Sequence, residues 1–379
     1  MKIIIDNKIP FISGALEAVA DVVYLPGNET GPEDVKDADA LITRTRTKCN
    51  KTLLEGSKVQ FIATATIGYD HIDTDYCKEN GIQWTNAPGC NSSSVEQYIV
   101  SVLLHLANKF KFRPEELTIG IIGVGNVGSK VKRVCDTLGF KVLCNDPPRE
   151  RNETGVEFID LKALLVQSDI ISMHVPLAHE GRDKTYEMAD ASFFASMKSG
   201  SFFINTSRGE VVQEKELKNV LKDGKLRAAV LDVFQKEPEL DQELLRILEL
   251  ATPHIAGYST DGKANGTYMS VQALSRHFGL GLDNWKPGNI PPPSEPIVFT
   301  DGSEKDSLIL ITDVYQQIYD VNDDHQDLQK APETFESLRG SYRLRREASA
   351  YSIRLYNDDG KYRNIFEQLG FSVIGDSCF

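Results

Sequence analysis

The sequence predicts an α/β protein: two doubly wound parallel-sheet lobes with a small α+β unit at the C-terminal end. Two observations predict it. Short apolar runs alternate with helical stretches from residue 1 to about residue 256, the pattern of parallel strands covered by helices. Within that alternation an Ile-rich run over 117–122 breaks into Gly123-Val-Gly125-Asn-Val-Gly128, and a helical pattern follows over 129–138. A third observation sets off the last unit: five prolines with Gly288 between residues 286 and 296 read as a stiff linker.

In order, 2–5, 22–25, 40–43, 59–63 and 82–85 read as strands, with helices near 14–20, 51–56 and 73–80. Residues 95–111 then read as one long helix leading into the glycine-terminated strand. Strands at 140–145, 169–175, 201–206 and 228–233 follow, with helices near 161–166, 189–197, 213–222 and 241–248 between and after them. A second long helix, 259–282, is interrupted by glycines. The two long helices would bridge two lobes, 1–95 with 257–285 and 96–256, with a ligand cleft between them. The third unit, 286–379, has helical signals at 307–319 and 362–369 and extended signals at 352–356 and 371–374.

Hydrophobic content of 41% and charged content of 26% are ordinary for a globular chain. The net charge of −13 argues against a general nucleic-acid or membrane-surface role. No stretch reaches transmembrane length. Six cysteines (49, 77, 90, 135, 144 and 378) form no C-x-x-C pair and read as reduced thiols, so cytoplasm is the default compartment. No cluster has metal-ligand spacing.

Strand, glycine turn and helix in that order are the context a dinucleotide-binding fingerprint needs. Gly123 permits the tight turn, Gly125 lets backbone approach a pyrophosphate, and Gly128 lets helix and strand pack closely. The helix N-terminus supplies free N–H groups to the phosphates. Asp146, 18 residues after Gly128, can accept from the ribose hydroxyls and would repel a 2′-phosphate, which favours NAD over NADP. Arg149 and Arg151 would offset part of that repulsion.

Three polar groups follow predicted strands on the carboxyl side of this sheet: Arg208, Glu237 and His254. Singly each has a dull explanation, a surface charge, a solvated loop carboxylate and a packed turn histidine. Together they suit hydride transfer from a secondary alcohol beside a carboxylate. His titrates near working pH and takes the hydroxyl proton, a carboxylate fixes its tautomer, and a guanidinium forks onto the substrate carboxylate. In the first lobe, Arg44-Thr45-Arg46 and Thr64-Ala-Thr66-Ile-Gly68 end two strands and offer hydroxyls, free N–H groups and guanidinium to an anion. Asp70 and His71 read as structural, and His174 and His179 as loop or packing residues.

With the fingerprint between two lobes, these residues resemble the D-isomer-specific 2-hydroxyacid dehydrogenases over roughly residues 1–282. The resemblance implies a flavodoxin-like substrate lobe and a Rossmann NAD lobe. By it Arg208 binds the substrate carboxylate, His254 is the acid/base and Glu237 its partner. Asn126, Val127, Asp146, Val175, Thr206, Ser207, Asp232 and Gly257 match NAD-contacting positions, and Thr45, Thr66 and Tyr258 match substrate positions. The segment from His254 to Thr267, with its Gly-Tyr, Gly-Lys-Ala and Gly-Thr elements, is similar to the branch that oxidises 4-phospho-D-erythronate at C2. So is a tail containing Arg345-Arg346-Glu347, which in that branch makes a C-terminal dimerisation domain and so implies a homodimer. Two positions depart from the family: Thr45 stands where Ser is expected, and Glu187 where His is common. The same chemistry on 3-phosphoglycerate or an unphosphorylated acid is the nearest alternative. An NAD(H)-sensing, corepressor-like role is the other; the presence of Arg208, Glu237 and His254 argues against it.

Overall fold

The structure, a computed structural model, describes residues 1–155, 157–303, 306–358 and 360–374. The chain divides into two compact units, Met1–Asn91 with Tyr258–Pro292, and Ser92–Gly257 with Pro293–Phe379.

In the first unit β1 (Lys2–Asp6), β2 (Asp21–Leu25), β3 (Ala40–Thr43), β4 (Phe61–Thr64) and β5 (Gln83–Thr85) form one parallel sheet. Its order is β2-β1-β3-β4-β5, the flavodoxin-like arrangement. The strands are continuously apolar because both faces are covered. Ile3, Ile5, Ala40 and Ile42 enter one core with Val271 and Leu274. Ile4, Leu41 and Ile62 point the other way, onto Leu53, Leu54 and Cys77. Helix Thr260–Phe278 is capped by Ser259, whose hydroxyl accepts the Gly262 N–H at 2.7 Å.

Two expected helices differ in the structure. Residues 14–20 form turns. Gly14 has φ +83°, and the Glu17 carboxylate accepts the Gly14 and Leu16 N–H groups that a helix would have organised differently. The helix expected to reach residue 282 stops at Phe278, because Gly279 turns left-handed at φ +68°.

The second unit holds β6 (Thr118–Ile122), β7 (Lys141–Asn145), β8 (Ile170–Met173), β9 (Ser201–Asn205), β10 (Leu226–Leu231) and β11 (Leu250–Ala251). They form a parallel sheet in the order β11-β10-β9-β8-β6-β7. Beyond β7 the Ile159 N–H donates to the Cys144 carbonyl (2.9 Å), and Asn145 Nδ2 donates back to the Ile159 carbonyl (2.7 Å). That segment occupies the outer-strand position of a Rossmann sheet, reduced to a single rung. Strand order reverses between β6 and β8, and the glycine fingerprint leaves β6 at this switch point.

The C-terminal part of the same unit adds a third parallel sheet, β12 (Ile297–Asp301), β13 (Ser352–Tyr356) and β14 (Ser372–Ile374), in that order. It shares the core of the nucleotide sheet through Leu328 and Phe335. Full burial of a side chain such as Phe335 contributes ~1.5–3 kcal/mol. At the sheet edge the Ala251 N–H donates to Nδ1 of His325 (3.0 Å), so this segment also satisfies β11. No described helix is long and apolar enough to cross a membrane.

Candidate active site

The fingerprint loop is sterically determined at two glycines and open at the third. Gly123 has φ +83°, and a Cβ there would lie 2.7 Å from the His174 carbonyl oxygen, with Val175 also in contact. A Cβ on Gly128 would land on the Gly123 carbonyl. A Cβ on Gly125 would meet nothing within 4 Å, which leaves its backbone accessible at the start of helix Asn126–Leu138. Asn126 and Val127 open that helix, whose first N–H groups are free for an anion.

Asp146 is buried and works inside this loop. Oδ2 accepts the Val124 N–H (2.7 Å), and Oδ1 accepts the Arg149 N–H (3.0 Å) as cap of helix Pro147–Asn152. The Arg149 guanidinium hydrogen-bonds to the Val124 carbonyl and pairs with Glu153, while Arg151 pairs with Asp183. Both arginines are thus engaged with the protein, which leaves the acidic character of the ribose end intact. Open backbone at Gly125, a helix N-terminus and one carboxylate fit a dinucleotide without a 2′-phosphate.

Arg208, Glu237 and His254 follow β9, β10 and β11, three adjacent strands, at their carboxyl ends. The Arg208 loop is held by its own strand: Asn205 Nδ2 donates to the Arg208 carbonyl (2.9 Å), and Asn205 Oδ1 accepts from Ser207 N (2.9 Å) and Oγ (2.6 Å). Gly209 packs against the Phe234 backbone so tightly that no Cβ fits, which brings this loop against the one carrying Glu237. The Arg208 guanidinium donates to the Ser207 carbonyl (2.8 Å) and has no carboxylate partner among the described residues. Thr206 Oγ1 lies 3.2 Å from His174 Nδ1, whose ring also meets Ser172 Oγ at 2.9 Å. Burial pushes the His174 ring down to about 3, so it stays neutral and orders the Thr206 loop.

The centre of the site is a contact of 2.8 Å between His254 Nδ1 and Glu237 Oε2. Glu237 Oε1 accepts the Phe234 N–H at 3.0 Å. Burial alone would raise the Glu237 carboxyl. The His254 hydrogen bond and charge, the Phe234 N–H and Arg339 outweigh it and hold the group below the usual carboxylate range. An ionised carboxylate only accepts, so Nδ1 carries the proton in this contact and the lone pair of the neutral ring lies on Nε2. His254 itself has φ +56°, the left-handed region that a non-glycine residue rarely holds.

That backbone is fixed by Asp232. Its carbonyl accepts the His254 N–H (2.8 Å), and its carboxylate accepts Thr252 Oγ1 (2.7 Å) and the N–H groups of Ile255 (2.8 Å) and Ala256 (3.0 Å). Burial pushes the Asp232 carboxyl up, against the pull of His254, Thr252 and those two amides. Asp232 thus has a visible structural task, holding the segment that runs from His254 to Gly257.

In the first unit Arg44, Thr45 and Arg46 follow β3, and Thr66 follows β4. Thr66 Oγ1 lies 2.7 Å from Thr64 Oγ1 and donates to the Gly68 carbonyl (2.9 Å). Arg44 donates to the Lys8 carbonyl at 3.0 Å. A further residue joins them: Lys263, whose ammonium lies over the Tyr258 ring, 5.0 Å from its centroid. Burial and then the neighbouring Arg44 push that ammonium down. Neither cation has a carboxylate partner among the described residues. The signal was present in the Gly-Lys-Ala element, five positions after Tyr258. Glu187, at φ +54°, accepts from Gln213 Nε2 (3.1 Å) and serves its own loop. No group of His, Cys, Asp and Glu among the described residues could hold a metal ion.

The family described as D-isomer specific 2-hydroxyacid dehydrogenase, NAD binding domain, matches residues 105–256. A domain of unknown function matches residues 291–370. The chain is 52% identical over 355 residues to the erythronate-4-phosphate dehydrogenase of Bacteroides fragilis, covering 93% of this chain and 99% of that one. It is 37% identical over 382 residues to the enzyme of the same name from Escherichia coli, covering 99% of each. Among solved structures, D-lactate dehydrogenase from Aquifex aeolicus, complexed with NAD and lactic acid, superposes with a TM-score of 0.61 at 27% identity, over 75% of this chain and 97% of that one.

Proposed function

The chain belongs to the D-isomer-specific 2-hydroxyacid dehydrogenase family, and from that premise we propose that it oxidises 4-phospho-D-erythronate at C2. The product is (R)-3-hydroxy-2-oxo-4-phosphooxybutanoate, a step toward pyridoxal 5′-phosphate. One observation carries the chemistry: Glu237 holds Nδ1–H of His254 at 2.8 Å, so the ring's free Nε2 is a base. The relatives' name, shared across nearly the whole chain, carries the substrate.

NAD, when bound, supplies the hydride acceptor for C2, and the fingerprint residues Gly123, Gly125, Asn126, Val127 and Gly128 with Asp146 would hold it. Val175, Thr206, Ser207, Asp232 and Gly257 are assigned to the same cofactor. His254 Nε2 accepts the C2 hydroxyl proton as the C2 carbonyl forms, and Glu237 stabilises the resulting imidazolium. Arg208, with no carboxylate partner among the described residues, takes the substrate carboxylate in a two-pronged pair. Arg44, Thr45, Arg46, Thr66 and Tyr258 are assigned to substrate, with Lys263 added. What supports a phosphate there is two neighbouring cations, Arg44 and Lys263, with no carboxylate partner among the described residues.

The test is NADH formation from 4-phospho-D-erythronate, 3-phospho-D-glycerate and D-lactate, with the keto product trapped. The expected result is a preference of about a hundredfold or more in kcat/KM for the phosphoerythronate, the upper end of what one missing carbon unit costs in a fitted site. Equal or better use of another acid overturns the substrate assignment and leaves the family chemistry standing. NADH binding with no turnover on any of them favours the sensor role.

A homodimer in the cytoplasm completes the reading. The buried thiols of Cys49, Cys77, Cys135 and Cys144 support a reducing compartment, while Cys378 lies outside the described residues. The C-terminal sheet supports the dimer. One face buries Val298, Thr300, Ile353 and Leu355, whereas Phe299 and Tyr356 stack on the opposite face at 6.0 Å, 50% and 41% exposed. An apolar pair on an open sheet face suits a second copy of the chain. Tyr356→Glu is expected to shift the protein from dimer to monomer in sedimentation with its fold intact. A dimer of undiminished affinity excludes this face.

A further inference from the structure

Arg345 belongs to the segment that a domain of unknown function matches, 91 residues beyond His254, yet its guanidinium reaches the catalytic chain. The side chain is 3% exposed. Nη1 donates to the Ile255 carbonyl (3.3 Å), Nη2 to the carbonyls of Ala256 (3.1 Å) and Ser94, and Nε to Gln97 Oε1 (3.0 Å). The guanidinium carbon also lies 4.0 Å from the Tyr319 ring centroid. Neighbouring residues reinforce the seat: Gln97 Nε2 donates to the Arg346 carbonyl (3.1 Å), and Ser94 Oγ to Glu347 Oε1 (2.9 Å).

The Asp232 carboxylate accepts the N–H groups of Ile255 and Ala256. The peptide unit joining those residues is therefore held at its carbonyl by a buried cation and at its N–H by a buried carboxylate. Charge-assisted hydrogen bonds are stronger and shorter than neutral ones, and buried groups have no water to exchange for them. His254 is the residue immediately before this unit, in a left-handed conformation that only an over-determined backbone retains.

We propose that Arg345 is a positioning residue for His254: from the C-terminal segment it fixes the backbone that presents the imidazole to Glu237 and substrate. The proposal rests on the acid/base role of His254. A misplacement near 1 Å costs about a hundredfold in rate even when every reacting group is present.

The experiment uses the full chain with Arg345→Met and Arg345→Lys, each made alone and with His254→Asn. It reads kcat, NADH affinity by fluorescence and oligomeric state by sedimentation. Arg345→Met is expected to lower kcat by about 30-fold or more, and Arg345→Lys, which keeps charge and loses the fork, by about tenfold. NADH affinity should stay within about threefold, because the fingerprint loop, with most of the assigned cofactor residues, is held by Asp146 and Asp232 still holds the segment that ends at Gly257. With His254→Asn present, either change should alter the remaining rate by less than about threefold, since the group being positioned is gone. Parent-like kcat, equal losses in both backgrounds, or NADH affinity falling in step with kcat each overturn the proposal. Should Arg345→Met fail to fold, Arg345→Lys is judged by the same criteria. Parent-like turnover in His254→Asn alone overturns the acid/base role and this proposal with it. An inactive His254→Asn beside a parent-like Arg345→Met overturns only the positioning role.

Discussion

His254→Asn is expected to lower kcat by roughly a thousandfold while NADH binds within about threefold of the parent, as befits loss of a general base and nothing else. Asparagine is the informative replacement because residue 254 sits at φ +56°, a conformation asparagine tolerates better than most residues. Alanine would add backbone strain to the loss of the base. The pH profile sharpens the test. A general base must be unprotonated to act, so the parent's oxidation rate should have an acid limb that His254→Asn lacks. Glu237 does not set that limb, since its carboxyl is already held below the usual range. Its depressed value contributes stability that is present above the unfolded-state value and is lost only as pH falls through the lower folded-state value. A parent-like rate in His254→Asn, or an unchanged acid limb, removes His254 from the chemistry.

Short-range features of this chain were legible and long-range ones were not. Ile3, Ile4 and Ile5 announce a strand because a strand buried on both faces needs no polar alternation. The fingerprint is legible because turn, helix start and capping carboxylate lie within 24 residues, from Gly123 to Asp146. Residues 14–20 misled for the converse reason. Ala15 and Leu16 are buried as a helix face would be, but the Glu17 carboxylate satisfies the local N–H groups in a turn. Arg345 looked like part of a dimerisation tail because its acceptors on Ser94 and Gln97 lie 251 and 248 residues away. Lys263 was hidden likewise: a lysine on a helix reads as a solvated charge until the Tyr258 ring and Arg44 are placed beside it. Arg208, Glu237 and His254 could be grouped because each follows a strand, and three adjacent strands bring their loops together.

Arg208→Lys is expected to lower kcat/KM by about 10²–10³-fold, the cost of breaking a desolvated pair between a guanidinium and a carboxylate. Lysine keeps the charge, so the loss measures the fork: a planar two-pronged contact positions the substrate carboxylate, and a point charge does not. The loop should survive the change. Asn205 holds the Arg208 backbone carbonyl and Ser207, and Gly209 is wedged against Phe234, and none of these contacts uses the guanidinium. A second substrate separates orientation from general damage. The amide of the same 2-hydroxy acid has no carboxylate to lose, so parent and Arg208→Lys should use it at rates within about tenfold of each other, since a neutral amide gains little from the fork. Equal losses on acid and amide would mean that Arg208 supports the loop and not the substrate. A loss below about fivefold on the acid would mean that the carboxylate is bound elsewhere, because an interaction made in the transition state must appear in kcat/KM when it is removed.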